Sequence, residues 1–177
     1  LYAGLKTERY FVEKGTPIRV DVIVTDLDGN PIEDRMINVR AARLEWEFRD
    51  GRWSEEEADV QNCDIASQNE PVACQFETPV GGSYRISAEV TDEKGRKNRT
   101  VITRWVSGGK RPSARKVEQE TVTLIPDKEI YQPGDTARIL VQPPFTPAEG
   151  VLTLSRSGII STEYFRIEND TATLEIP

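Results

Sequence analysis

Gly15-Thr16-Pro17-Ile18-Arg19-Val20-Asp21-Val22-Ile23-Val24-Thr25-Asp26-Leu27-Asp28-Gly29-Asn30-Pro31 is the stretch that decides the fold. Ile18, Val20, Val22 and Val24 fall on every second position, with Arg19, Asp21 and Thr25 on the others, and this period of two marks a half-buried β-strand. Asp26 to Pro31 then supplies turn chemistry, because Asp-Gly provides the positive-φ residue that a tight turn needs. An EF-hand reading of the same residues fails, since it needs Gly sixth and Glu twelfth, whereas Gly29 is fourth and position twelve is Ile37.

The same grammar extends in both directions. A short strand is expected over 1–6 and a long one over 36–48, whose apolar set changes side near Ala41-Ala42 and so predicts a bulge, bend or sheet crossing there. Asp50-Gly51 turns the chain back through Trp53 toward Val60, with Glu55-Glu56-Glu57 as an exposed edge. Residues 64–73, rich in Asn, Ser, Gln and Pro, read as a loop, followed by a short strand at 74–77. Tyr84, Ile86, Ala88 and Val90 alternate again, and the turn Asp92-Glu93-Lys94-Gly95 leads into a strand ending at Val106. Residues 1–107 thus carry seven strands, the size of a complete immunoglobulin-like β-sandwich, and the fold class is all-β and antiparallel.

Residues 108–120, with Lys110-Arg111-Pro112-Ser113-Ala114-Arg115-Lys116, read as a solvated linker. Beyond it, five strands are expected at 121–125, 136–142, 150–156, 159–167 and 171–176, so 121–177 reads as an incomplete second domain whose native chain continues past Pro177. An internal echo accompanies this division. Phe11-Val12-Glu13-Lys14-Gly15-Thr16-Pro17-Ile18-Arg19-Val20 matches Ile130-Tyr131-Gln132-Pro133-Gly134-Asp135-Thr136-Ala137-Arg138-Ile139 at an offset of 119 residues. Tandem copies of one sandwich module leave such a trace.

Composition narrows the chemistry. The 177 residues are 37% hydrophobic and 30% charged, which suits one or two modest globular domains. A net charge of −7 argues against a nucleic-acid partner. No window approaches the roughly 20 apolar residues that cross a bilayer, so no membrane insertion by this segment is expected, and with no signal peptide before Leu1 the sequence reads as part of a mature chain. The absence of His excludes Ser–His–Asp and Cys–His catalysis. Paired carboxylates sit mostly in turns and at exposed strand positions, and no nucleotide-binding glycine spacing occurs. No catalytic, metal or cofactor site is expected. Trp46, Trp53 and Trp105 could form a carbohydrate platform, although a core role is commoner for tryptophans on strands with apolar neighbours. The sequons at Asn98 and Asn169 decide nothing.

Cys63 and Cys74 are the only cysteines. They read as a disulfide, against two unrelated thiols or a zinc half-site that lacks further ligands. A disulfide implies an oxidising compartment, periplasmic or extracellular.

With the modules laid out, the sequence resembles the macroglobulin-type domains of bacterial α2-macroglobulins. The residues concerned are Gly4-Leu5-Lys6-Thr7-Glu8-Arg9-Tyr10-Phe11-Val12-Glu13-Lys14-Gly15, Val22 through Pro31, Gly82-Ser83-Tyr84-Arg85-Ile86, and the run from Tyr131 to Phe145. The last of these looks like the start of the family's bait-region domain. The resemblance implies a non-catalytic scaffold segment of a broad-range protease inhibitor that traps proteases after bait cleavage. Its partners would then be proteases, through the full-length protein, and neighbouring macroglobulin domains. The family's thioester motif, Cys-x-x-Gln, is not present at Cys63 or Cys74. The competing reading is a surface adhesin or a carbohydrate-binding β-sandwich module.

Overall fold

The computed structural model describes residues 1–49, 51–109 and 121–177, and the side chain of Trp53 also lies outside the description. Thirteen strands and no helix occupy the described residues. The first eight are β1 (Tyr2–Lys6), β2 (Phe11–Val12), β3 (Ile18–Thr25), β4 (Met36–Arg49), β5 (Arg52–Ala66), β6 (Val72–Phe76), β7 (Gly82–Thr91) and β8 (Lys97–Val106). They form two sheets, one ordered β1-β3-β6 and the other β2-β8-β7-β4-β5. All pairings are antiparallel except the short parallel contact of β2 with β8.

Alternation places one face of each sheet inward. Val20, Val22 and Val24 of β3 are buried in one cluster with Val39 of β4, Ile86, Ala88 and Val90 of β7, and Phe76 of β6. Each fully buried side chain of this kind contributes about 1.5–3 kcal/mol of transfer free energy. Tyr84 is also fully buried, and its hydroxyl donates to the Val80 carbonyl at 2.8 Å, so the polar end of the ring does not go unpaired. The change of face in β4 lies where the sequence put it: Ala41 and Ala42 are both buried, and the β4–β5 register shifts between Ala41 and Arg43. β5 holds the extra residue there. Asp59 takes a positive φ of 50°, and its carboxylate accepts from Arg43 Nε at 2.6 Å, which anchors the bulge.

Two expectations change. Residues 64–73 are not one loop, because β5 runs to Ala66 and β6 begins at Val72. Asn62 and Asp64 are exposed while Cys63 and Ile65 are half-buried, so this polar stretch is a true edge strand, with Asn38 Nδ2 donating to Asp64 Oδ1 across the ladder at 2.7 Å. An eighth strand, β2, joins the seven read from sequence. Two residues are too few to show a period, and β2 is fixed by its distant partner, Phe11 pairing with Trp105 and Val12 with Val106. The acidic edge at 55–57 is present on β5, and it is not left bare: Arg85 meets Glu55 at 2.6 Å and Arg40 meets Glu57 at 2.5 Å.

The remaining strands are β9 (Thr123–Pro126), β10 (Ala137–Gln142), β11 (Ala148–Ser155), β12 (Ile159–Ile167) and β13 (Ala172–Ile176). They form a sheet ordered β13-β10-β9 and a separate β11–β12 ribbon, within which the Phe165 ring lies over Gly150, its cross-strand partner. Most of the expected linker, 110–120, lies outside the described residues.

Candidate functional site at the junction of the two strand sets

The two copies of the internal echo fold alike. Thr16 N donates to the Glu13 carbonyl at 2.9 Å, and Asp135 N donates to the Gln132 carbonyl at 3.0 Å. Gly15 (φ 87°) and Gly134 (φ 92°) sit third in these four-residue turns, the place where a type II turn needs a residue free to adopt positive φ. Lys14 and Pro133 occupy the second place. Each turn then launches a core strand, β3 in one case and β10 in the other.

The first of these turns is where the β1–β8 strands meet the β9–β13 strands. The Glu13 carboxylate is shared three ways: its Oε1 accepts from Arg138 Nη2 at 2.8 Å and from Thr173 Oγ1 at 3.0 Å, and its Oε2 accepts a short bond from the Ser107 hydroxyl. Arg138 lies on β10 and Thr173 on β13, adjacent strands of one sheet, while Ser107 follows β8. The Arg138 guanidinium also lies 6.0 Å from the centre of the Phe11 ring. Ser107 is buried and, besides donating to Glu13, accepts from Lys14 N at 3.2 Å.

A second set of bonds runs through Tyr10 and Asp127. Tyr10 N donates to the Asp127 carbonyl at 2.9 Å, and the Tyr10 carbonyl accepts from Trp105 N at 3.1 Å, so the backbone at Tyr10 joins both strand sets. The buried Asp127 carboxylate accepts from the Tyr131 hydroxyl at 2.8 Å and from Arg138 N at 3.0 Å. Burial is the first cause that pushes the Tyr131 phenol above its ordinary value. Arg104 lies 5.1 Å from the Tyr10 ring centre, and burial lowers its guanidinium from the usual range. Beside this contact a shallow groove is lined by Tyr10, Arg104, Trp105 and the β9 residues Leu124, Ile125 and Pro126.

The chain leaves β8 at a close backbone crossing. A Cβ on Gly109 would lie 2.1 Å from Gly82 N, and one on Gly81 would lie 2.3 Å from the Ser107 carbonyl oxygen. Gly81-Gly82 and Gly108-Gly109, read from sequence as punctuation, are therefore packed against each other, and Gly108 N donates onward to Thr171 Oγ1 at 3.0 Å.

Cys63 and Cys74 are joined in a disulfide. Cys63 lies on β5, the edge of the five-stranded sheet, and Cys74 on β6, the edge of the three-stranded one, so the bond staples the two sheets along their open side. Gln61 reinforces it, donating to the Glu77 carbonyl and accepting from Glu77 N, both at 2.8 Å. The Asp26 carboxylate is occupied by its own turn, accepting from the N–H groups of Asp28 and Asn30 at 2.9 Å. Among the described residues no group of three His, Cys, Asp or Glu side chains is arranged to hold a metal, and no helix is long and apolar enough to cross a membrane. Of the tryptophans, Trp46 is 42% exposed rather than in the core, because β4 runs past Leu44, its last partner on β7. Trp105 is half-buried, and the Trp53 side chain is outside the description. Asn98 is tied down by accepting from Ala3 N at 3.1 Å, and Asn169 is exposed. The junction residues Glu13, Arg138 and Thr173 were not among the sites expected from sequence, where Glu13 and Arg138 entered only as members of the echo and of the stretches that carry the resemblance.

No family model matches the sequence. An alpha-2-macroglobulin homolog of a Nostoc species is 25% identical over 154 residues, a match that covers 82% of this chain and 8% of that protein. The chain thus spans a small fraction of its relative's length. Among solved structures, Salmonella alpha-2-macroglobulin reacted with methylamine aligns with 100% of this chain and 12% of its own, at 18% identity and a TM-score of 0.35. Spo0M, a sporulation control protein from Bacillus subtilis, aligns with 99% of this chain and 89% of its own, at 11% identity and a TM-score of 0.38. Both TM-scores are low, and the sandwich architecture stands on this chain's own ladders. By its sequence the chain is similar, over most of its length, to a bacterial α2-macroglobulin homolog, which supports a relationship with that family.

Proposed function

We propose that this chain is a non-catalytic scaffold segment of an α2-macroglobulin-like protease inhibitor, one that traps proteases after cleavage of a bait segment. The observation that carries the reading is the sequence relationship with the alpha-2-macroglobulin homolog, which extends over 154 residues and covers 82% of the chain. In this reading residues 1–107 are a macroglobulin-like support domain, 108–120 a linker, and 121–177 the N-terminal part of the bait-region domain. Proteases are partners through the full-length protein, and neighbouring macroglobulin domains pack around this segment. The Cys63–Cys74 disulfide suits a periplasmic or extracellular location. It also occupies both cysteines of the chain, so neither is free for thioester chemistry, and any covalent trapping chemistry belongs elsewhere in the full protein.

The test uses the full-length protein. Incubated with proteases of different specificity, it is expected to be cut at or beyond the 121–177 region and at the same time to suppress cleavage of a large protein substrate. Proteases that cut the protein and retain full activity on that substrate would overturn the reading. The 177-residue chain alone is expected to inhibit none of them.

A further inference from the structure

We infer that the Glu13 carboxylate is a latch that fixes the orientation of the β9–β13 strands on the β1–β8 sandwich. Among the described residues, hydrogen bonds at four points join the two sets, and the Arg138 guanidinium adds its contact with the Phe11 ring. One is the backbone bond from Tyr10 N to the Asp127 carbonyl, a second is the exposed contact of the Tyr10 hydroxyl with Glu129 Oε2 at 3.3 Å, and a third is Gly108 N to Thr171 Oγ1. The fourth, Glu13, is of a different kind. A single carboxylate there accepts from two neighbouring strands of the second set while Ser107 of the first set holds its other oxygen.

A lone backbone bond at Tyr10 leaves rotation about it free. Fixing the angle takes further points off that axis, and the Glu13 contacts to β10 and β13 supply two of them. They are also strong for their kind. A hydrogen bond to a charged acceptor is about twice as strong as one between neutral groups, and the guanidinium also faces the Phe11 ring. Arg138 Nε has no hydrogen-bond partner and lies 3.6 Å from Glu175, so Glu13 is its principal anchor. Turn geometry points the carboxylate there, because the 13–16 turn is pinned to its own sandwich by Gly15 N donating to the Thr78 carbonyl at 2.9 Å and by the Thr78 hydroxyl donating to the Thr16 carbonyl at 2.8 Å. The mounting is tied to its own sandwich, and one side chain carries the contacts to both β10 and β13. This inference does not depend on the function proposed above.

Residual dipolar couplings of backbone amides in the full chain test it. In the unaltered protein, amides of β3 and β7 and those of β10 and β12 should fit one alignment tensor. In Glu13→Ala and in Arg138→Met, the second group should stay dispersed and lose that common tensor, fitting a separate and weaker one while the first group keeps its own. A common tensor retained in Glu13→Ala would overturn the latch. So would collapse of the β9–β13 amides to unfolded positions in both variants, since Glu13 would then be needed to fold those strands rather than to orient them.

Discussion

Asp26 and Asp92 close two loops of identical construction. Asp92 accepts from Lys94 N and Arg96 N at 2.9 Å, as Asp26 does from Asp28 N and Asn30 N, and the residue fifth in each turn adds a side-chain bond. Ionisation of the carboxylate strengthens these bonds. The Asn30 side chain, then its backbone, holds Asp26 below the ordinary aspartate value, and the Arg96 backbone N–H is the first cause that does so at Asp92. A carboxylate lowered in the folded state binds its proton less readily there than in the unfolded chain. Its stabilising effect is therefore complete above about pH 4, the unfolded value, and is lost as pH falls through the depressed folded values. The double variant Asp26→Asn, Asp92→Asn should be less stable than the parent at pH 6, with the gap closing toward pH 2, as read by urea titrations across that range. A constant gap would show that the charge does not matter. Both turns were legible in the sequence, since Asp-x-x-Gly carries its own local reason. Glu13 was not, because its partners lie 125 and 160 residues away and no local pattern marks a carboxylate as destined for another strand set.

Strands declare themselves when several residues share a period and one face is buried, which is why β3, β7, β10 and β12 are legible in the sequence. β4 even announced its bulge, through the apolar set that changes side at Ala41-Ala42. The misjudged element is β5 beyond Val60. Its inward positions there are Gln61, Cys63 and Ile65 and its outward ones are Asn62 and Asp64, so composition imitates a loop while the ladder with Asn38, Val39 and Arg40 continues. The correction alters what the disulfide does. As a clasp within one loop it would act locally, whereas between β5 and β6 it ties the free edges of two sheets covalently, beside the Gln61–Glu77 hydrogen bonds. Closing a loop of this length stabilises by about 3 kcal/mol in the chain-entropy view. In a domain of roughly 100 residues that corresponds to a fall in Tm on the order of 10 °C or more. The Cys63→Ala, Cys74→Ala variant, or the parent under reductant, should show this drop by calorimetry. Two reactive thiols titrated in the native, unreduced protein would contradict the bond itself.

At the scale of the molecule, the two strand sets are built unequally. The first encloses a continuous core between two sheets, with Phe76, Tyr84, Ile86 and six valines among its fully buried side chains. In the second, Leu140, Val141 and Ile167 are the buried branched aliphatic residues among those described, while Leu124, Ile130, Val151, Ile159, Ile160 and Tyr164 are all more than half exposed. Three buried side chains at about 1.5–3 kcal/mol each do not offset the conformational entropy of five ordered strands, which costs about 1–2 kcal/mol for every residue fixed. The β11–β12 ribbon sharpens the imbalance, since a two-stranded ribbon has only marginal stability in water by itself. The second set must therefore draw its order from contacts with the first, among them the Tyr10–Asp127 and Gly108–Thr171 bonds and the groove where β9 meets Tyr10 and Trp105, while Glu13 sets its orientation. It follows that residues 1–109 produced alone should fold cooperatively, whereas residues 121–177 produced alone should give the collapsed amide dispersion of an unfolded chain. Adding the first piece to the second in trans should not restore order at micromolar concentration, because a junction of a few polar bonds lacks the buried area of a stable interface. A well-dispersed spectrum from 121–177 by itself would mean that its exposed apolar faces pair in some other way, and the dependence on the first sandwich would then be wrong.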